Sequence, residues 1–278
     1  MAERFLEGRA AIVTGGATGQ GRATALALAA AGADVAIGGY LADGETDSDQ
    51  IDTTHPSRDE LDRAIAEIAG HGVRAVGCDH DLGSDESCQA LADLATQTFG
   101  KVDILMNVAG ISIVEPVAGH DDALWHRVID VNLSGPYRMI KRCLPGMIER
   151  SWGRIVNIAS TAANVGAEGA AAYCSSKSGL LGLTRCVALE GAAHGVTCNA
   201  INPGYVRTDM MMADLLRRAR TAGDNRSIEE QVAEIEASYP QKRIIEPEEI
   251  GALAVFFCRD EARGLTMEDV TLACGSLW

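Results

Sequence analysis

Short apolar runs rich in β-branched residues alternate along this chain with longer Ala/Leu-rich stretches of helical period. Ala10-Ala11-Ile12-Val13-Thr14 reads as a strand, and residues 21–31 as a helix. The rhythm repeats with a strand at 34–37, a helix at 57–69 and a strand at 74–78. A helix at 85–99, a strand at 102–108 and one long helix at 121–150 follow. The last clear units are a strand at 154–159, a helix at 169–193 and a strand at 196–201. Strands apolar on both faces and separated by helices are what a parallel sheet covered on both sides requires. Right-handed crossovers then predict one doubly wound, Rossmann-type α/β domain over residues 1–278.

Two segments break this rhythm. Residues 41–57 carry five acids (Asp43, Glu45, Asp47, Asp49, Asp52) and no Lys or Arg, and read as a solvated insert after the second strand. Residues 205–243 form a longer excursion that includes Met210-Met211-Met212, and are the expected substrate lid. Three consecutive methionines cannot share one helix face, so some are expected to reach a pocket or a neighbouring subunit.

Composition narrows the partners. The 24 basic and 39 acidic side chains leave a net charge of −15, the wrong sign for unspecific binding to nucleic acid or an anionic membrane. The first nine residues mix charges and lack the apolar core of a signal peptide, and no stretch is long enough to span a membrane. Eight cysteines stand singly, with no Cys-x-x-Cys and no zinc-ligand spacing, which predicts reduced thiols in a cytoplasmic protein and no metal site.

Two local patterns carry chemistry. The first strand runs into Thr14-Gly15-Gly16-Ala17-Thr18-Gly19-Gln20-Gly21 and then a helix. Such a turn lets backbone N–H groups approach a pyrophosphate, with the helix N-terminus adding partial positive charge. Farther on, Tyr173 and Lys177 are four residues apart near the start of a helix, so phenol and ammonium share a face. An ammonium nearby favours phenolate, which predicts a lowered Tyr173 pKa and a phenol able to exchange protons with an alcohol or carbonyl oxygen. Ser160 ends the preceding strand, where its hydroxyl is placed to bond the same substrate oxygen. Tyr137 and Lys141 repeat the Tyr-x-x-x-Lys spacing without a serine thirteen residues upstream, where Leu124 stands, and read as packing and surface residues.

Taken together, Thr14-Gly15-x-x-x-Gly19-x-Gly21, Asn107-Val108-Ala109-Gly110, Asn132, Ser160, Tyr173-x-x-x-Lys177 and Asn202-Pro203-Gly204 with Thr208 resemble the short-chain dehydrogenase/reductase family over nearly the whole chain. The resemblance implies an NAD(P)(H)-dependent interconversion of a secondary alcohol and a ketone, in a homotetramer or a homodimer. It makes Tyr173 the general acid/base and has Lys177 lower the Tyr173 pKa and bind the nicotinamide ribose. Ser160 positions the substrate oxygen, and Asn132 helps hold a proton-relaying water chain. It assigns Gly15, Thr18, Gly19, Gln20 and Gly21 to the pyrophosphate turn and Asp81 with Leu82 to the adenine. The segment that Asn107 opens, with Ala109 and Gly110, closes strand four, supports the sheet and lines the adenosine side, and Pro203, Gly204, Val206 and Thr208 fall near the nicotinamide.

Departures from the family pattern leave the cofactor open between NAD and NADP. The acid that usually ends the second strand in NAD-preferring members is replaced by Gly39, and the basic residue of NADP-preferring members is absent at Gly39 and at Thr18. Gly38 and Gly39 are expected to leave room for a 2′-phosphate, against which the acidic insert would act, and Asp43 is a possible ribose partner. The usual C-terminal Thr-Gly is Thr266-Met267, and the late Gly-Gly is Cys274-Gly275. Ile111, Ser112, Ala162, Tyr205, Met210, Met211 and Met212 are expected to line an apolar substrate pocket. Two other readings stand beside this one. A sugar-nucleotide epimerase would need a C-terminal domain for which too little chain remains after Pro203. A catalytically silent dinucleotide-binding regulator or scaffold would not need Ser160, Tyr173, Lys177 and Asn132 together.

Overall fold

The structure, a computed structural model, describes residues 4–41, 55–222 and 226–276. Most of the acidic insert, including Asp43, lies outside the described residues. Seven parallel strands form one sheet in the order β3-β2-β1-β4-β5-β6-β7. They are β1 (Ala10–Thr14), β2 (Asp34–Gly39), β3 (Ala75–Asp79), β4 (Ile104–Asn107), β5 (Gly153–Ile158), β6 (Val196–Pro203) and β7 (Asp269–Leu272).

Side chains alternate across a strand, so β1 feeds two cores: Ala11 and Val13 face one layer, Ala10 and Ile12 the other. Helices α1 (Gly19–Ala30), α2 (Arg58–Ala69) and α9 (Pro247–Phe256) cover the first layer, through residues such as Leu28, Ile68 and Ile250. Helices α3 (Asp85–Phe99), α5 (Gly135–Glu149) and α6 (Ala171–Ala192) cover the second, through residues such as Leu91, Met139 and Val187. Helix starts and stops follow their capping chemistry. Ser57 and Glu60 cap α2 reciprocally, and Gly100 ends α3 at φ 82°.

The crossover reverses between β1 and β4, which are paired neighbours. The carboxyl ends of these two strands therefore open a crevice, the place where doubly wound sheets bind ligands.

Three features depart from the sequence reading. The long helix expected over 121–150 is divided: α4 (Asp122–Ile129) gives way to a π turn at Asp130–Ser134, and α5 follows. Pro136 has no N–H to give the Asn132 carbonyl, so the α ladder cannot run through. The excursion over 205–243 contains two helices, α7 (Asp209–Ala222) and α8 (Ile228–Ser238). Strand β7 was not expected. It is a four-residue edge strand whose side chains are mostly half-exposed, so its apolar signal is weak.

Candidate active site

The glycine-rich turn is shaped by backbone proximity. A Cβ at Gly21 would lie 1.9 Å from the Gly15 carbonyl oxygen, and one at Gly15 would lie 3.0 Å from Ala109 Cα. Gly19 adopts φ 48°, in the left-handed region that disfavours other residues. Thr18 caps α1 without a side-chain hydrogen bond, so the first amides of the helix face the crevice uncapped. An anionic, hydrogen-bonding group such as a dinucleotide pyrophosphate fits this cradle.

A cleft runs from this turn along the carboxyl ends of the strands. Gly15, Thr18, Gly19, Gln20, Gly21, Asp81, Leu82, Ala109, Gly110, Ile111, Tyr173, Lys177, Thr208 and Met210 line it. Thr208 hangs over the turn, where a Cβ on Gly19 would meet its methyl at 3.3 Å, and its hydroxyl accepts from the Met211 amide at 3.3 Å.

Other expected residues stand behind the wall rather than in it. Asn107 is buried and donates to Asn157 Oδ1 at 2.8 Å, tying β4 to β5 instead of lining the adenosine side. The Val108 and Ala109 amides beside it both donate to Thr14 Oγ1, at 3.0 and 3.2 Å. Val206 is buried and bridges to Ile245, while Gly204 packs against Ala273 and the Tyr239 hydroxyl. Pro203 ends β6 within the core. Tyr205 is half-buried, its amide donating to Tyr239 Oη at 3.2 Å. Met211 turns into the core, so of the three methionines only Met210 reaches the cleft wall.

The catalytic candidates converge. Fully buried Asn132, in the π turn, clamps the Ile111 backbone: its Nδ2 donates to the carbonyl at 2.8 Å and its Oδ1 accepts from the amide at 2.9 Å. The same Nδ2 donates to Ser176 Oγ at 3.1 Å. Lys177 donates from Nζ to the Ile158 carbonyl at 2.8 Å and lies 5.7 Å from the Tyr173 ring centroid. Phenol and ammonium therefore share one face of α6, as the spacing predicts. Gly110 closes the group: a Cβ there would lie 3.1 Å from Asn132 Oδ1 and 3.3 Å from Lys177 Nζ. By contrast Tyr137 is 51% exposed and Lys141 is on the surface.

The electrostatics correct one expectation. Tyr173 is pushed up, not down, from its ordinary pKa: burial dominates, and the hydrogen bond with Ser160 opposes it. Burial also pushes Lys177 down, to about 8. In this enclosed site the cost of removing each charged form from water outweighs the attraction between them.

The end of the cleft around Asp81 holds groups the sequence reading passed over. Arg127 donates to Asp81 at 3.0 Å, and Tyr40, His55, Pro56 and His80 line the wall nearby. The room expected at Gly38 and Gly39 is taken. A Cβ on Gly38 would sit 2.6 Å from His80 Nδ1, and one on Gly39 would sit 3.1 Å from Pro56 and 3.3 Å from Ala17. Contacts across strands fill these gaps, and no local pattern announces them.

Comparison with known proteins agrees with this geometry. The short chain dehydrogenase family model matches residues 9–218. The chain belongs to the short-chain dehydrogenase family. It is accordingly an NAD(P)-dependent oxidoreductase of the CH–OH/C=O couple. It is 34% identical to a D-beta-hydroxybutyrate dehydrogenase of Cupriavidus necator, over 93% of this chain and 94% of the relative. It is 35% identical to a monensin polyketide synthase putative ketoacyl reductase of Streptomyces virginiae, over 97% of both. Among solved structures, an actinorhodin polyketide ketoreductase with NADPH aligns at a TM-score of 0.85 and 32% identity, over 99% of this chain and 98% of that one. A carveol dehydrogenase from Mycobacterium avium in complex with NAD aligns at a TM-score of 0.90 and 25% identity, over 97% and 98%.

Proposed function

We propose that this dehydrogenase interconverts a secondary alcohol and a ketone, with Tyr173 as the group that exchanges a proton with the substrate oxygen. The observation that carries this reading is that Tyr173 and Lys177 line one end of the cleft together, with Ser160 hydrogen-bonded to the phenol and Asn132 buried behind them against Ile111 and Ser176. The bound nicotinamide supplies the site for hydride exchange at the carbinol carbon. Every other task falls to the chain. Tyr173 holds its proton firmly in the buried site, ready to give it to a developing alkoxide in the reductive direction. Ser160 is bonded to the phenol and presents its hydroxyl to the same oxygen. Lys177, with a pKa of about 8, exchanges protons readily near neutral pH and resupplies the phenol. Asn132 fixes Ile111, whose side chain forms part of the wall beside the substrate.

The lid is the segment carrying α7 and α8. The apolar character of Ile111, Val131 and Met210 supports a substrate with a carbon skeleton. All eight cysteines are unpaired, which supports a reducing compartment such as the cytoplasm. A homotetramer, or else a homodimer, is supported by apolar side chains exposed on two long helices: Tyr137 on α5 and Leu189 on α6.

Turnover followed at the reduced-nicotinamide absorbance, across a panel of alcohols and ketones, tests the reading. Tyr173→Phe is expected to lower kcat by at least about a hundredfold, the scale of general acid–base catalysis, with dinucleotide affinity nearly unchanged. Turnover that survives in this variant refutes the role of the phenol. A wild-type protein that binds dinucleotide but turns over no member of the panel would instead favour the scaffold.

A further inference from the structure

The ribose end of the cleft departs from the pattern by which either dinucleotide is usually chosen. Strand β2 ends in Gly38 and Gly39, and β3 lies beside it with Gly38 opposite Cys78 and Gly39 opposite Asp79. One residue past β3, His80 turns its ring into the volume that Gly38 leaves empty, so a Cβ on Gly38 would sit 2.8 Å from both His80 Cβ and Cγ. The ring lines the cleft, the residue is only 3% exposed, and its Nε2 is buried without a hydrogen-bond partner. Desolvation holds the imidazole pKa down at about 4 although Asp81 and Asp79 pull it upward, so the ring is neutral at pH 7.

The charges around it balance. Among the described residues lining the cleft, the cations are Lys177 and Arg127, and the carboxylates are Asp81 and Asp209. Lys177 stands beside Tyr173, and Arg127 gives its Nη1 to Asp81 at 3.0 and 3.3 Å. A 2′-phosphate at this end of the cleft would add close to two negative charges to a wall with no excess cation, against His80 and Pro56.

Resting on the dehydrogenase reading above, we infer that the cleft selects NAD(H) over NADP(H), and that His80 sets this choice by closing the 2′ position with a neutral ring. Selection then works by exclusion, in place of the acidic ribose reader that β2 lacks. His80 is a specificity-determining residue that takes no part in proton or hydride transfer.

Equilibrium titration of the full-length protein with NADH and NADPH, read by nucleotide fluorescence, tests this directly. Wild type is expected to bind NADH at least about tenfold more tightly than NADPH. His80→Ala empties the space beside Gly38 and is expected to bring the two affinities within about threefold, mainly by tightening NADPH. 5′-ADP and 2′,5′-ADP, titrated as competitors, should show the same preference and the same loss of it, because they probe the adenosine end without the nicotinamide. A melting curve establishes that His80→Ala is folded, and His80→Asn, which keeps a smaller neutral polar group, should fall between the two. Equal or tighter NADPH binding by wild type overturns the inference but leaves the dehydrogenase reading intact. So does an unchanged affinity ratio in folded His80→Ala and His80→Asn. If neither dinucleotide binds wild type, the dehydrogenase reading falls too.

Discussion

Replacing Lys177 by Met separates what the site costs the fold from what it does. The ammonium is buried, and its pKa falls from 10.5 to about 8 because burial disfavours the charged form. At 1.36 kcal/mol per unit this is about 3 kcal/mol of stability forgone at neutral pH. Methionine has a similar length and no charge. It loses the hydrogen bond to the Ile158 carbonyl, which costs about 1–2 kcal/mol. Lys177→Met is therefore expected to be about 1–2 kcal/mol more stable than wild type at pH 7, by difference of these two magnitudes. The sign then changes with pH. Folded Lys177 releases its proton near 8 and unfolded Lys177 near 10.5, so wild-type stability rises relative to the variant through that window. By about pH 10 the penalty falls below about 1 kcal/mol and wild type becomes the more stable form. Urea unfolding of both proteins at pH 7, 8, 9 and 10 reads this difference, and titrations common to both, such as that of Tyr173, cancel. Activity should move the other way, with turnover by the variant reduced at least about a hundredfold at every pH. A variant several kcal/mol less stable at pH 7, or a stability difference independent of pH, refutes the reasoning.

Asn132→Ala removes three hydrogen bonds at a fully buried position and strands the Ile111 amide and carbonyl. A loss of about 2–5 kcal/mol is expected in urea unfolding, at about 1–3 kcal/mol per buried group left unpaired. Met267 stands where the family usually has glycine and adopts φ 70°, so Met267→Gly relieves left-handed strain of about 1–2 kcal/mol. Glycine's larger unfolded-state entropy offsets about 0.5–1 kcal/mol of this, leaving a net gain of about 1 kcal/mol or less, read as a higher Tm. A lower Tm would mean that the half-exposed methionine side chain contributes more packing than its backbone strain costs.

The parts of this site legible in the sequence are those whose meaning is local. The four-residue spacing of Tyr173 and Lys177 fixes a shared helix face whatever the fold does. A glycine turn between a strand and a helix likewise exposes its amides wherever it occurs. The parallel sheet covered on both faces follows from alternation and handedness, whereas the strand order and the crevice between β1 and β4 come from the structure, and most residues of the cleft wall were legible only through the family resemblance. Other residues act through contacts that sequence spacing does not encode. Asn107 and Met211 carry side chains suited to a wall, but the sheet pulls one into a β4–β5 tie and helix α7 turns the other into the core. The division of the helix over 121–150 had one local sign, Pro136, yet a proline near a helix start is also an ordinary first-turn residue. Only the structure shows that the ladder fails at Asn132 and turns its amide onto Ile111 and Ser176. The same limit explains the sign of the Tyr173 shift. Spacing reveals the attraction between phenol and ammonium, whereas burial, the larger effect, belongs to the whole fold. His80 is the extreme case. By itself it is a histidine after a strand. Its significance is the absence of a side chain on Gly38 in the neighbouring strand, and an absence across a sheet leaves no periodicity to read.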